Sequence, residues 1–500
     1  MTPGARSAAR TTALAAAVVL LGVLWLLATA PRAFVVLSWS DEIVYAVMGR
    51  NIADGRGIVS NFYDWRALLQ DGYPQGDVHM PGHALFMSVF FRLLGSADAV
   101  AFVPRRVALL AAGVVVLLVA RRLFGSTAGV VAAALLFVMP GAAGFAHSAM
   151  PESTVLLASS LFLACWCAPV TPPRAFGLAV ALAAAVLCRE TMLVFLWPAA
   201  VALSRAPRDV RSRAMAAFVL GLAATLPGVA LLYLRRARFP HFLSDLPPLG
   251  TAAWARVVGK RIGDNLALPL PGSAVDEQLF VTLLVLGIVL PLAVLRRASV
   301  EGRPLAAALL ALTAANFAGL VAFYPLKSWA AVRAFMFLIP WAAVLLAGVV
   351  MRVRATGARV AVALAVALLA VQSLATVSAL AADRRAEQTG NAEVAAVFER
   401  LTEGVPIETV LGYESPWEIG WRRFPIVVVW NAPAGLDPIR RLTAVRRIDA
   451  VIGRSPHVVP IAEASARGEL PVAYDLVRRR RESQRQVVIR RGLTEVGSFR

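Results

Sequence analysis

Long apolar runs recur through residues 12–381, separated by short arginine-containing links, and then stop. Each run approaches the roughly 17–25 residues that a bilayer-spanning helix needs. The pattern predicts about eleven spans, near 12–30, 105–120, 127–145, 151–168, 175–189, 191–204, 214–234, 277–295, 304–324, 335–351 and 360–381. In the first run, Ala28-Thr29-Ala30 has the small residues of a signal-peptide cleavage site. Pro31 directly after the cut and the length of the run favour an uncleaved span. Beyond residue 382 the periodicity shortens to β-type stretches, Thr409-Val410-Leu411, Ile426 to Trp430 and Val487-Val488-Ile489, between polar and helical segments. The expected fold is mainly α: a polytopic membrane helix bundle over 1–381, with a loop 31–104, and a small extracytoplasmic α/β domain over 382–500.

Composition supports the membrane reading. The chain is 59% hydrophobic and only 16% charged, against about a quarter charged in soluble domains, and its mean hydropathy is +0.70. The short links carrying Arg121-Arg122, Arg174, Arg205/Arg208/Arg211/Arg213, Arg296-Arg297/Arg303 and Arg352/Arg354/Arg359 fall on one side, with the N-terminus. The positive-inside rule makes that side the cytoplasm of a multi-pass protein in a bacterial cytoplasmic (inner) membrane. The loop 31–104, the loop 235–276, the turn around 324–334, the elbow at Arg189-Glu190 and the tail then lie outside. The net charge of +20 is carried almost wholly by arginine. Arg478 to Arg481 suit membrane-lipid headgroups, and a nucleic-acid partner is excluded on that face. Cys165, Cys167 and Cys188 fall in or beside spans, with neither zinc-type spacing nor a disulfide framework.

Against this basic background the loop 31–104 gathers acids: Asp41, Glu42, Asp54, Asp64, Asp71 and Asp77. Acid held beside a bilayer is costly and usually has a chemical task. Asp41 and Glu42 open a short apolar helical pattern, predicted to lie on the membrane with both acids in its N-terminal turn. Ser40 or Asp41 as a plain helix cap explains the same pattern, and the two readings stand level. A second surface helix follows Pro81. His79 and His83 stand at i, i+4, a metal-binding spacing that here lacks an acid and is interrupted by Pro81-Gly82. A divalent metal is left open, and no ligand set is assigned. Arg189-Glu190 should face a cavity or pair internally, and Glu152 starts a span where a helix N-terminus favours acid.

The ordered segments SWSDEIVYAVMGRNIADGRG, HMPGHALFMSVFFRLLG, RRVALLAAGVVVLLVARRLFG, AMPESTVLLASSLFLA, LCRETMLVFLWPAAVAL, VRAFMFLIP and ESPWEIGWRRFPIVVVW resemble those of the GT-C class of polytopic glycosyltransferases. That class includes the protein mannosyltransferases and the aminoarabinose transferases of lipid A. The resemblance implies a polyprenyl-phosphate-linked sugar as donor and an extracytoplasmic glycolipid, polysaccharide or protein as acceptor. It makes Asp41 the leading catalytic candidate, with Glu42 the near alternative and Asp77 similar to a second loop acid. His79-Met80-Pro81-Gly82 departs from the usual His/Lys-Pro-Pro-Leu, which bears on His79. Lys327 and Arg333 stand where the class tends to carry a basic residue, with Arg333 preferred for the donor phosphate. His79, His83, Glu152 and Arg189 complete the expected substrate-binding set. The competing functions are a transporter or flippase of lipid-linked saccharides, which needs ionisable groups near mid-membrane, and a non-catalytic glycolipid-binding relative.

Overall fold

The computed structural model describes residues 3–30, 37, 40–65, 68–69, 79–234, 250–267, 282–297, 302–323, 333–352, 356–413, 417–430, 432–433, 435–476, 485–491 and 493. The chain divides into two compact units. One comprises Met1–Val35, Phe102–Tyr233 and Pro240–Ala381; the other comprises Val36–Ala101, Leu234–Phe239 and Ala382–Arg500. The structure thus groups the loop with the tail, where the sequence reading kept it with the helical part.

The first unit is helical. Among the described residues, six helices are long and apolar enough to cross a membrane, and Ser126–Val138 with Pro140–Ala146 forms a further broken pair, bent by 62°. Shorter apolar helices are Glu152–Trp166, Pro172–Cys188, Glu190–Ser204 and Thr282–Arg296. The bend has a local cause. Proline has no N–H for the helical ladder and drives the preceding residue out of helical conformation, and Met139 before Pro140 is extended, with ψ 127°. After the bend small residues permit close packing: a Cβ on Gly141 would lie 2.5 Å from Met336 Sδ, and one on Gly144 2.7 Å from Leu380 Cδ1. Several polar side chains buried in this unit are tied to one another. Thr29 Oγ1 lies 2.6 Å from the His147 ring nitrogen, and the fully buried Arg105 donates to Ser148 Oγ at 3.1 Å. Phe162 and Phe195 stack at 4.4 Å, and Trp341 Nε1 donates to Ser159 Oγ.

The second unit is built on a six-stranded sheet: β1 (Phe62–Asp64), β2 (Thr409–Gly412), β3 (Val427–Trp430), β4 (Ala450–Arg454), β5 (Tyr474–Leu476) and β6 (Arg485–Arg490), in the spatial order β1-β3-β2-β4-β6-β5. The first four neighbours are parallel, and β6 and β5 join antiparallel to their neighbours. Parallel strands covered on both faces read as continuous apolar runs, as Val427-Val428-Val429 does, with all three buried. Three of the strands match the β-type stretches read from the sequence. β1 does not: it comes from the loop and pairs in register with β3, Phe62 opposite Val428. Asp449, fully buried, accepts the backbone N–H groups of Glu408 and Thr409 at 2.9 and 3.1 Å and so ties the start of β2 to β4.

Helix Ser40–Ala53 lies in this unit. The expected surface helix is instead enclosed by protein, since Glu42 through Asn51 are all buried. Arg50 holds it. Its guanidinium sits 3.5 Å from the Trp421 ring centroid and donates to the carbonyls of Trp421 and Ser96, both at 3.1 Å. Burial pulls its pKa down to about 10, against the pull of Asp98 and Asp54. Helix Gly82–Leu94 buries His83, Ala84, Met87, Ser88 and Phe91 and leaves Val89, Leu93 and Leu94 exposed, an amphipathic division suited to a bilayer surface.

Glu418, on the short helix Trp417–Arg422, is 1% exposed. Arg422 meets one carboxylate oxygen at 3.0 Å, while the other has no hydrogen-bond partner among the described residues. Burial raises its pKa, Asp98 and Glu399 add to the rise, and Arg422 opposes it. A carboxyl with a raised folded-state pKa gives stability that is fully present below its unfolded value and is lost as pH rises through its folded value. Glu418→Gln should therefore raise the melting temperature of the full chain in nanodiscs at pH 7 by about 2–4 °C. The gain should vanish at pH 4, as thermal melts at the two pH values would show.

Candidate functional site

The described site residues fall into two clusters, each within its own unit. In the second unit, helix Ser40–Ala53 carries Asp41 and Glu42 in its first turn, where exposed N–H groups and the helix dipole favour carboxylates. Consecutive helical positions point about 100° apart, so the two acids meet different surroundings. Asp41 is partly exposed, 31% of its side chain, and its Oδ1 stands 3.5 Å from His79 Nε2. The Tyr45 ring, one turn on, presents edge-type contacts to both imidazoles, with centroids 4.9 Å from His79 and 5.3 Å from His83. Glu42 is fully buried, and Arg384, 2% exposed, donates to its Oε1 at 2.7 Å.

This arrangement separates two acids that the sequence left as alternatives. Glu42 holds a buried cation from helix Thr356–Leu401. Asp41 keeps solvent access and a neighbouring imidazole, the circumstances in which a carboxylate can take up a proton. His79 is brought to Asp41, and His83 is buried against Tyr45. Asp41 and His79 offer two metal donors, and no group of three or more His, Cys, Asp or Glu gathers among the described residues.

The first unit holds the other cluster. Glu152 starts helix Glu152–Trp166 and is fully buried. Arg333 Nε donates to its Oε1 at 2.5 Å, and Arg189 stands 3.4 Å from the same oxygen. Arg189 follows helix Pro172–Cys188 in extended conformation, which lets the guanidinium turn back and donate to the Arg333 carbonyl at 2.7 Å. Of the elbow residues, expected to face a cavity or to pair internally, Arg189 meets Glu152 and keeps 18% of its side chain exposed. Asp77 and Lys327, both named from the sequence, lie outside the described residues.

Arg384 and Tyr45 were not singled out by sequence reasoning. Tyr45 was legible as one helical turn from Asp41. Arg384 sits in the polar run Asp383-Arg384-Arg385, and its partner is 342 positions away, so no local pattern marks it. Removing one member of a buried ion pair costs about 3–5 kcal/mol because the other charge is stranded. Arg384→Met should destabilise the second unit by about that amount. The double variant Arg384→Met/Glu42→Gln should recover most of the loss, as chemical denaturation of the full chain would show.

Residues 78–233 match the model of the dolichyl-phosphate-mannose-protein mannosyltransferase family. No curated protein matches the sequence. The fold is similar to that of ArnT from Cupriavidus metallidurans, solved bound to undecaprenyl phosphate, at a TM-score of 0.60 and 16% identity over 95% of this chain and 97% of that one. It is also similar to the Archaeoglobus fulgidus oligosaccharyltransferase, at a TM-score of 0.55 and 13% identity over 89% of this chain and 69% of the other. The arabinofuranosyltransferase AftD from Mycobacteria matches at 0.53 and 14%, over 94% of this chain and 39% of its own.

Proposed function

Within the GT-C glycosyltransferases, to which its fold and residues 78–233 assign this chain, we propose a transferase that moves a sugar from a polyprenyl-phosphate carrier to an extracytoplasmic acceptor. The acceptor is a glycolipid, polysaccharide or protein. The site is placed on the outer face of a bacterial inner membrane, with the N-terminus in the cytoplasm. Support for the donor comes from ArnT, which was solved with undecaprenyl phosphate, and from an archaeal relative solved with a dolichol-phosphate.

The observation that carries the reading is the unequal treatment of Asp41 and Glu42. Moving a sugar off its phosphate requires the acceptor hydroxyl to lose a proton as its oxygen attacks the anomeric carbon and the carbon–oxygen bond to phosphate breaks. Asp41 is assigned as the base, with inversion at the anomeric carbon. A general base in that role is worth about 10²–10⁴-fold. His79, 3.5 Å from Asp41, is assigned to orient the carboxylate, and Glu42 to hold the helix through Arg384. Negative charge grows on the departing phosphate, and arginine stabilises such charge and fits phosphate oxygens in a bidentate fashion. The resemblance gives that role to Arg333. Asp77 and Lys327 keep the roles the resemblance gives them, a second loop acid and a further cation.

The test is mass spectrometry of lipid-linked sugars and envelope glycans in the native host, comparing wild type with Asp41→Asn at matched protein levels. The expected result is loss of one glycan modification by about 10²–10⁴-fold in rate, with build-up of its polyprenyl-phosphate sugar. Unchanged glycans and unchanged carrier lipids would remove Asp41 from the chemistry and favour a binding or transport role. His79→Ala should give a smaller loss, about tenfold, and shift the pH profile of the reaction. An unshifted profile would mean that His79 does not bear on the Asp41 proton.

A further inference from the structure

The Glu152 cluster contains more hydrogen-bonding capacity than its arginines use. Oε1 of Glu152 is occupied by Arg333 at 2.5 Å and faces Arg189 at 3.4 Å. Oε2 has no hydrogen-bond partner among the described residues, although Glu152 is fully buried. The hydroxyl of Ser153, also fully buried, and that of Thr191, two residues after Arg189, are likewise without one. Unmet polar atoms are rare in native interiors, and each asks for an occupant or a function. Of the three charged side chains Arg189 is the most exposed, at 18%, beside 9% for Arg333 and 0% for Glu152.

The chemistry of these atoms restricts the occupant. An ionised carboxylate oxygen only accepts hydrogen bonds. A phosphodiester at neutral pH has no proton to donate, so a phosphate against Oε2 would bring two anions together where low dielectric strengthens their repulsion. What satisfies Oε2 is a donor without negative charge. Ser153 and Thr191 both donate and accept, which suits a ligand bearing several hydroxyls. The guanidinium groups next to Oε2 are the natural seat of the phosphate, so the hydroxyl-bearing group belongs on the other side of the same molecule.

We infer that Glu152 reads the sugar of the lipid-linked donor by accepting a hydrogen bond from a sugar hydroxyl at Oε2, with Ser153 as a second contact, while its Oε1 keeps the two arginines oriented towards the phosphate. This rests on the donor class proposed above and adds to it a residue that separates the glycosylated carrier from the bare one. A site built to hydrogen-bond a hydroxyl rejects the analogue that lacks it, because the buried acceptor is then left unmet.

The test is equilibrium binding to the full chain in lipid nanodiscs. The probes are undecaprenyl phosphate and undecaprenyl phosphates carrying mannose, glucose or arabinose. Wild type should prefer at least one glycosylated lipid by about tenfold or more over the bare carrier. Glu152→Gln, which puts an amide N–H where Oε2 stands, should remove that preference. Ser153→Ala, a small change that leaves the ion pairs intact, should reduce the preference by about threefold to tenfold and stands as the independent reading if Glu152→Gln fails to fold. The inference is overturned if Ser153→Ala, which keeps both ion pairs, weakens bare and glycosylated lipids alike. It is also overturned if neither variant alters the preference, the result expected when a water molecule fills Oε2. Wild type that binds the bare carrier without preferring any sugar overturns this inference alone. Wild type that binds none of the four lipids overturns the donor class itself.

Discussion

Withdrawing a carboxylate from water beside a low-dielectric phase is costly unless a cation goes with it, and this requirement shapes both clusters. Glu42 is fully buried and meets Arg384 at 2.7 Å; Glu152 is fully buried and meets Arg333 and Arg189. Each pair joins chain segments far apart in sequence, so each also fixes where helices begin. The functional consequence is clearest at the first pair. Because Glu42 is held in place, the helix Ser40–Ala53 presents its neighbour Asp41 at a defined position with part of its surface still open to solvent. Two adjacent acids thus divide into one that holds the structure and one available to react.

The same helix is fixed by more than charge. Arg50 stacks on Trp421 and donates to two carbonyls, and Trp421 Nε1 donates to Asp98 at 2.5 Å. A few residues on, β1 adds the loop to the tail's sheet through β3. Segments that the sequence separates by more than three hundred residues therefore form one unit. For the proposed role of Asp41 this matters because misplacement of a reactive group by an ångström can cost about 10²-fold in rate. A carboxylate carried on a helix packed against a sheet is held more precisely than one on a free loop.

Local pattern carried much of this. The apolar helices, the two acids in a first helical turn and the Val427–Trp430 strand are all properties of short windows, where periodicity and composition act directly. The bend at Met139-Pro140 departs from the sequence reading, in which 127–145 is one continuous span through Pro140. What was not legible depends on distant partners. β1 is only three residues long and becomes a strand because Val427–Trp430 lies beside it. Helix Ser40–Ala53 has the pattern of a surface helix and is buried against helix Gly82–Leu94 and groups from the tail. Arg384 looks like any arginine in a polar run until Glu42 is placed next to it. The division between Asp41 and Glu42, on which the functional reading turns, is therefore a tertiary fact.

The most direct test of that division measures folding and product formation together for Glu42→Gln and Asp41→Asn. Each variant is expressed in the host lacking the native chain, its folded fraction is determined by thermal melting in extracted membranes, and glycan product is counted per folded molecule. The account predicts that Asp41→Asn melts like wild type and makes almost no product. Glu42→Gln should melt at lower temperature, yet each folded molecule should work within about tenfold of the wild-type rate, a loss far below that of a missing general base. A Glu42→Gln protein that folds normally and is inactive, beside an active Asp41→Asn, would contradict it.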